Sequence, residues 1–392
     1  MRILFDVSAL GTSPNGSTVN ALRSANALAL SRPEWEVGLI SAPAQAGVLD
    51  QLLPVDSPVR KTVSSPDLIH FPHQVSAADL GHCRARYGVP VSATWLDFIA
   101  LRRPEYHRSS RAWAAALERA ALAVSSMDGV VWLSDAVAEQ ASVFGWAKGV
   151  PSSVVGLGVD HLAPDDERAA ASAVVRRVAE QQPYIVMIAA TYPHKRRALA
   201  IEAIARARDR GVELNLILAG SDAPHWLSTR QRDRALCRDL GIEASVHDLG
   251  SVSEAVLGFL YRNAVGSLAL SEEEGFGMVP YESALLGCPC ITTLGATAER
   301  VDHRLASDAS ASAVAERIAV LGDLEARSDS VARLSAAAAQ HTWAEAGARL
   351  SNALSDFASA AAPRHRPRWA LPRDIQRAAW KLNPSLGSLL SL

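Results

Sequence analysis

The stretch EGFGMVPYE, residues 274–282, decides the fold of this chain. It follows an apolar run at residues 265–270 and precedes a run of small residues that ends at Gly287. This order predicts a strand, then a glycine turn, then a helix that begins near Met278. Glu274 lies at the mouth of the turn, and Glu282 lies about one turn into the helix.

The two glutamates indicate a ligand with hydroxyl groups on both sides of a phosphate. The turn exposes backbone N–H groups at a predicted helix N-terminus, where the helix dipole favours an anion. Carboxylates repel a phosphate, but they accept hydrogen bonds from hydroxyls. A nucleotide-sugar carries hydroxyls at both ends of its diphosphate. We therefore expect one glutamate to bind the sugar and the other to bind the ribose.

Elsewhere, short apolar runs rich in β-branched residues alternate with longer helical patterns, which is typical of parallel α/β layers. The predicted strands span residues 3–7, 37–40, 68–71, 91–95, 130–133, 154–155, 185–189, 214–219, 245–247, 267–270 and 290–293. A chain of 392 residues exceeds one ordinary core, so we expect two domains. The first covers residues 1–180 with a linker, and the second covers residues 181–342.

Composition and charge favour a globular chain without nucleic acid as a partner. The net charge is −2, with 49% hydrophobic and 20% charged residues. The sequence has no uncharged stretch of 18 apolar residues, so no membrane-spanning helix is expected. The first residues, MRILFD, predict a strand and not a signal peptide. These features predict a cytoplasmic location.

Cysteine and aspartate spacing gives no indication of a metal. Cys288 and Cys290 flank a proline in a predicted buried strand, and no second Cys/His pair has ligand spacing. We interpret both cysteines as small core side chains. No Asp-x-Asp motif lies at a strand end, so neither a divalent metal nor another cofactor is expected.

The stretch at 274–282 resembles the E-x7-E motif of the retaining GT-B glycosyltransferases of group 1, also called family 4. The resemblance extends to the segments at residues 90–97, 104–107, 184–196, 216–220 and 248–253. These segments follow the order of the family over roughly residues 2–345. The resemblance implies two Rossmann-like domains that face each other across a cleft. It also implies that residues 343–360 form a helix that crosses back to the first domain.

Lys195 is the expected cation for the leaving diphosphate. It follows a predicted strand directly, and a cation at a helix N-terminus opposes the dipole and requires an anionic partner. The alternative is a solvated basic start of a helix. By resemblance, Lys195 matches the family's diphosphate-binding lysine, His194 stands where relatives often have arginine, and Arg196 replaces the usual asparagine.

The E-x7-E motif supplies the other donor-binding residues. By resemblance, Glu274 contacts the donor sugar, and Glu282 binds the ribose. Gly275, Phe276 and Gly277 present N–H groups to the sugar and diphosphate, and Met278 at the helix start completes this set. The neighbours of Glu282 are apolar, so we expect a buried carboxylate, which needs hydrogen-bonding partners.

Two further donor contacts are implied by position alone. Val252 stands where the family binds the base through main-chain atoms. Gly16 opens the first helix and would approach the donor phosphates from the first domain. Many relatives have an arginine after this glycine, but here Ser17 and Thr18 follow.

The largest departure from the family lies at Leu96. Relatives have a His-Asp pair after this strand, with the histidine on the donor-sugar side, whereas only Asp97 remains here. We count Asp97 with Glu274 and Lys195 as catalytic candidates. His70 and His73 follow a predicted strand and are acceptor-side candidates, the alternative being histidines that pack in a loop.

The resemblance implies transfer of a hexose from a nucleotide diphosphate sugar to a glycan or glycolipid, as in polysaccharide biosynthesis. GDP-mannose is favoured because the Pro-His-Lys run at 193–195 resembles mannosyltransferases, and UDP-sugars stay open. The tail at 361–392 mixes basic residues with tryptophan, which predicts either peripheral contact with the inner membrane face or a helix packed on the body.

Two alternatives remain at this point. The first is a non-catalytic member of the same class, which binds a nucleotide-sugar or a partner transferase without turnover. Only Leu96 favours it. A glycan phosphorylase of the same fold would need a pyridoxal-phosphate lysine in a setting that the sequence does not show.

Overall fold

The computed structural model of the chain describes residues 1–12, 14–146, 149–162, 173, 178, 183–297 and 301–360. The chain forms two compact units. The first comprises Met1–Thr12, Gly16–Leu157 and the C-terminal helix from Trp343, and the second comprises Gly158–Thr342 together with residues 14–15. The expected boundary near residue 180 lies outside the described residues.

The first unit contains a parallel sheet of six strands. The strands are β1 (Arg2–Asp6), β2 (Glu36–Ile40), β3 (Leu68–Phe71), β4 (Val91–Trp95), β5 (Gly129–Trp132) and β6 (Ser152–Val154). Their order across the sheet is β2-β1-β3-β4-β5-β6. The predicted strands of this half are confirmed, because parallel strands buried on both faces form the near-continuous apolar runs that the sequence shows.

Helices connect these strands. They are α1 (Gly16–Ser31), α2 (Ala46–Leu52), α3 (Ala77–Tyr87), α4 (Ile99–Arg102), α5 (Ser110–Ser126) and α6 (Asp135–Val143). Local sequence sets several of their ends. Ser76 and Asp79 form a capping box at the start of α3, and Gly88 ends that helix in a left-handed conformation.

The last described helix returns to the first unit. Helix α13 (Trp343–Ala360) packs against α1, and Arg32 donates to Ser351 Oγ and Asn352 Oδ1, each over 3.1 Å. Two glycines permit close contact: a Cβ at Gly347 would lie 2.4 Å from the Ala27 carbonyl oxygen, and one at Gly129 would overlap the Phe357 ring. This packing agrees with the expected crossing helix. The basic tail at 361–392 lies outside the described residues.

The second unit contains another parallel sheet of six strands. The strands are β7 (Tyr184–Ile188), β8 (Asn215–Ala219), β9 (Val246–Asp248), β10 (Gly266–Ala269), β11 (Cys290–Thr293) and β12 (Ala306–Ser307). Their order is β12-β11-β10-β7-β8-β9. Five of these strands are as predicted, and the two-residue β12 is an addition, because two residues are too few to show a pattern.

Helices cover both faces of this sheet. They are α7 (Arg197–Asp209), α8 (Arg230–Asp239), α9 (Glu254–Asn263), α10 (Val279–Leu285), α11 (Ala311–Val320) and α12 (Leu324–Ala338). Successive residues of β8 point to opposite sides: Leu216 and Leu218 join a core cluster with α7 and α11, and Ile217 joins a second cluster with α9. Both layers are therefore packed.

Two simpler expectations concern cysteines and membrane spans. Cys288 and Cys290 are buried and free, which confirms their interpretation as core residues. Among the described residues, no helix has the length and apolar character that crossing a membrane requires.

Candidate active site

The carboxyl end of the second sheet has a point where the strand order reverses. Strands β7 and β10 are neighbours there, with Gly266 opposite Ile185 and Ser267 opposite Val186. The chain leaves β7 for β8 on one side and leaves β10 for β11 on the other. Ligands of open α/β sheets bind outside such a point. The loops after β7 and β10 contain Lys195 and Glu274.

Lys195 and Glu274 form an ion pair in this structure. Their Nζ and Oε1 atoms are 2.6 Å apart, although the residues are separated by 79 positions. The two side chains are 22% and 16% exposed, so the pair is only partly screened by water. Glu274 therefore supplies the anionic partner that we expect for a cation at the position of Lys195.

The loop that carries Lys195 is fixed by its backbone. Pro193–Lys195 form a short 3-10 turn, and Arg196 follows in the left-handed region with φ 55° and ψ 42°. The carbonyl of buried His194 accepts a hydrogen bond of 2.8 Å from the Glu272 N–H, which ties this loop to the loop after β10. Arg196 lies 3.7 Å from the Glu272 carboxylate.

Arg197 is a buried member of the region that sequence reasoning missed. It lies 3.1 Å from Asp233 and donates a 2.7 Å hydrogen bond to Asp248. Asp248 also forms an ion pair of 3.0 Å with Arg230 and accepts a hydrogen bond from the Gly250 N–H over 3.1 Å. Burial raises the pKa of Asp233. This network holds the ends of β7 and β9, and with them the loop that contains Val252.

The glycine turn after Glu274 is packed tightly. Gly277 has a φ of 83°, and a Cβ there would lie 2.2 Å from the Ala296 carbonyl oxygen, so only glycine fits. Phe276 is buried against Tyr281 and His341, with ring centroids 5.9 and 4.9 Å away. The helix begins at Val279, next to Met278 as predicted.

Glu282 lies in a buried cluster of titratable groups. It is 4% exposed, which confirms the prediction of a buried carboxylate. Its Oε1 is 3.5 Å from His161 Nε2, and its Oε2 accepts from the Tyr261 hydroxyl over 3.4 Å. His161 Nε2 is also 3.7 Å from Glu254 Oε1. Burial, and then the Glu254 carboxylate, raises the pKa of Glu282 to about 8.

Sequence reasoning missed the partners of Glu282. Glu254 reads as an ordinary acidic residue in the first turn of a helix, which suits the dipole without any ligand. Tyr261 fits the apolar face of the same helix. His161 stands alone in its segment, so only the fold brings these three residues together.

The first sheet has its own point of reversal, between β1 and β3. Gly16 starts the helix after β1, and His73 lies in the loop after β3. His73 is buried, with Nδ1 2.8 Å from the Gln74 carbonyl, and its buried Nε2 makes no hydrogen bond within the described structure. The Asn20 side chain donates to the Pro72 carbonyl over 3.2 Å, which holds this loop against α1.

His70 lies inside the first sheet, so the prediction that it follows a strand is wrong, because β3 extends over Leu68–Phe71. The side chain of His70 is fully buried, and its ring nitrogens lie 2.9 Å from Ser92 Oγ and 3.0 Å from Thr94 Oγ1. Burial, and then the charge of His73, lowers its pKa to about 3, so the ring is neutral. Both nitrogens of His70 are engaged, which makes His73 the better of the two acceptor-side candidates.

The loop after β4 carries the departure from the family pattern. Leu96 is 8% exposed and part of the apolar core. Asp97 Oδ1 accepts from the Ile99 N–H over 2.9 Å, and its carbonyl accepts from the Gln74 side chain over 3.2 Å. The second bond ties this loop to the loop of His73.

The comparisons with known proteins agree with this architecture. Residues 171–329 match the sequence model of the family described as glycosyl transferases group 1. No curated protein matches the chain. Among solved structures, the Anabaena protein HepE in complex with UDP-glucose has a TM-score of 0.67 and 20% identity over 91% of this chain and 100% of that chain.

Two further structures resemble the chain over a similar length. Sucrose-phosphate synthase from Thermosynechococcus elongatus has a TM-score of 0.66 and 17% identity over 92% of this chain and all of that chain. A glycosyltransferase from Rickettsia africae has a TM-score of 0.64 and 14% identity over 92% and 98%. The fold is GT-B, with two α/β units. The family match lies within the second unit, and the similar structures show the fold.

Proposed function

We propose that the protein is a retaining glycosyltransferase that takes a hexose from a nucleotide diphosphate sugar bound by the second unit. The observation that carries the proposal is the Lys195–Glu274 pair at the point where the sheet reverses, with buried Glu282 on the following helix. The group 1 match over residues 171–329 supports the same unit as the donor site.

Each of these residues has a role that suits its chemistry. The ammonium of Lys195 neutralises charge on the departing diphosphate, which is the largest contribution expected in such a transfer. Glu274 accepts hydrogen bonds from sugar hydroxyls, and Glu282 accepts them from the ribose diol. His194 and Arg196 shape the Lys195 loop, and Val252, Gly275, Phe276, Gly277 and Met278 complete the donor contacts.

The transfer exchanges one bond at the anomeric carbon for another. The bond from this carbon to the diphosphate oxygen breaks, and a bond to the acceptor hydroxyl oxygen forms on the same face. The acceptor proton passes to the departing diphosphate. No protein nucleophile, metal or other cofactor is required in this scheme, because Lys195 supplies the positive charge.

The donor is either GDP-mannose or a UDP-sugar. The Pro-His-Lys run at 193–195 favours GDP-mannose, and the UDP-glucose complex of the similar Anabaena protein favours a UDP-sugar. The acceptor is proposed to be a glycan or glycolipid bound by the first unit near His73 and Asp97. A cytoplasmic location completes the proposal, with peripheral contact of the basic tail with the inner membrane face as one of the two alternatives for that segment.

Donor hydrolysis by the purified protein tests the proposal. GDP-mannose, UDP-glucose and UDP-N-acetylglucosamine are supplied separately, and nucleotide release is measured with the Glu274→Ala variant as control. Release from one donor that is lost in the variant would establish a transferase and identify its donor. If no donor is bound by calorimetry and none is hydrolysed, the proposal is wrong.

A second candidate is a relative that binds the nucleotide-sugar without turnover. The apolar, buried Leu96 favours it, because leucine cannot hydrogen-bond a sugar hydroxyl at the place where the family has histidine. Nucleotide binding without release from any donor, and without transfer to added glycan acceptors, would support this candidate.

A further inference from the structure

Glu282 is held by contacts too long to satisfy a buried carboxylate. The separations of 3.4 Å to Tyr261 and 3.5 Å to His161 lie at the limit for a hydrogen bond. A carboxylate has about four lone-pair sites, so Glu282 can accept further hydrogen bonds. A diol, which brings two O–H donors, would satisfy it.

The geometry places one nitrogen of His161 between two carboxyl groups. Nε2 faces Oε1 of Glu282 at 3.5 Å and Oε1 of Glu254 at 3.7 Å. Nε2 can accept a hydrogen bond from protonated Glu282, and it donates to both carboxylates once the proton has moved from Glu282 to this nitrogen. The side chain of His161 can form a cation, lies within 3.7 Å of both carboxylates and is 2% exposed.

Diol binding favours a change in the charge state of Glu282. Burial and the charge of Glu254 raise the pKa of Glu282 to about 8, so the carboxyl is protonated near neutral pH. Hydroxyl donors favour the ionised form. An ionised Glu282 beside the partly exposed Glu254 would place two negative charges close together, one of them buried, unless a cation lies between them.

We infer that His161 and Glu254 are positioning residues for the ribose end of the proposed donor site, where His161 takes up the proton that Glu282 releases when the ribose hydroxyls bind. The imidazolium then lies between the two carboxylates and holds Glu282 towards the diol. The inference rests on the proposed function, because it assumes that Glu282 binds a ribose. Two titratable groups, Glu254 and Glu282, face His161. Tyr261, on the same helix as Glu254, contacts Glu282.

Calorimetric titration with UDP, GDP and their 2′-deoxy analogues tests the inference. The His161→Phe variant should bind the preferred nucleotide about tenfold more weakly. It should also discriminate less between ribose and deoxyribose than the unchanged protein does. His225→Phe is the matched control, because His225 is an exposed histidine of the same unit. It should alter neither quantity.

The His161→Gln variant supplies a second readout and covers the case in which His161→Phe does not fold. Glutamine can donate a hydrogen bond but cannot accept the proton from Glu282. Relative to the unchanged protein at the same pH, its affinity should therefore fall about tenfold at pH 6.5 and recover at pH 8.5. The Glu254→Gln variant should lower the ribose preference without this pH dependence.

The outcomes separate the inference from the function on which it rests. An equal loss of affinity for ribose and deoxyribose nucleotides in His161→Phe, or a His161→Gln deficit that is the same at both pH values, would overturn the inference and leave only a structural role. If the unchanged protein binds neither UDP nor GDP, the proposed function itself is wrong.

Discussion

The strand ends of the second sheet carry charged side chains in pairs, whereas the first sheet holds a neutral histidine inside one of its strands. Lys195 meets Glu274 at 2.6 Å in the second unit, while His70 lies between Ser92 and Thr94 in the first. Both sheets are parallel and six-stranded. The same architecture therefore holds a close ion pair at the strand ends of one unit and a neutral histidine within the sheet of the other.

Removal of the cation should give the largest effect. The Lys195→Ala variant is expected to lose about 100- to 1000-fold in transfer rate, because it removes the charge that stabilises the departing diphosphate. Steady-state kinetics with saturating donor measure this loss. Arg232→Ala, an exposed cation of α8, is the control. Equal rates for Lys195→Ala and the control would remove Lys195 from the catalytic candidates.

Glu274→Gln should have opposite effects on diphosphate binding and on transfer. The variant keeps the shape of the side chain but frees Lys195 from its anionic partner, so a nucleoside diphosphate should bind severalfold more tightly. Transfer should nevertheless fall about 100-fold, because the sugar loses its carboxylate contact. Calorimetry and kinetics on the same preparation measure both quantities. Weaker diphosphate binding would show that Glu274 does not compete for Lys195.

The stability of the first unit should fall in acid through His70. Its folded pKa of about 3 lies below the ordinary value of 6.5, so the unfolded chain binds the proton first. The contribution is present above pH 6.5 and is lost as the pH falls towards 3, which amounts to a few kcal/mol at about 1.4 kcal/mol per pKa unit. His70→Gln should flatten this dependence in thermal unfolding scans. An unchanged slope would contradict it.

The stability of the second unit should fall as the pH rises, because of Glu282. Its folded pKa of about 8 lies above the ordinary value of 4.5, so the folded chain retains a proton that the unfolded chain releases. The contribution is present below pH 4.5 and is lost as the pH rises through 8, again a few kcal/mol. Glu282→Gln should therefore raise the melting temperature at pH 8 by several degrees relative to the unchanged protein. Glu202→Gln in α7 is the matched control.

The smallest effect is expected at Arg196. Its left-handed backbone costs roughly 1 kcal/mol for an ordinary residue, and asparagine tolerates this conformation better. Arg196→Asn should therefore stabilise the protein by about 0.5 kcal/mol, after the loss of a weak ion pair with Glu272. Chemical denaturation measures the change. Arg206→Asn, inside α7, should destabilise by a similar amount, because asparagine is a poor helix former.

The sequence predicted the strands and most strand ends because the signal for a buried parallel strand is local. It also predicted a buried Glu282, since the helix around it is apolar. It did not predict that Lys195 and Glu274 pair with each other, because each residue was assigned to a different part of the donor from its own loop alone. The partners of Arg197 and Glu282 come from other strands and helices, and no local pattern brings them together.

The helix from Trp343 gives the first unit an unusual order of assembly. The sheet of that unit is complete in the chain by Val154, yet α1 receives its neighbour only when residues 343–360 have been synthesised. Gly347 and Ala27 are in close contact where this helix packs against α1, and most of the chain separates them in sequence. On a ribosome, the unit that begins first is therefore the one that is finished last.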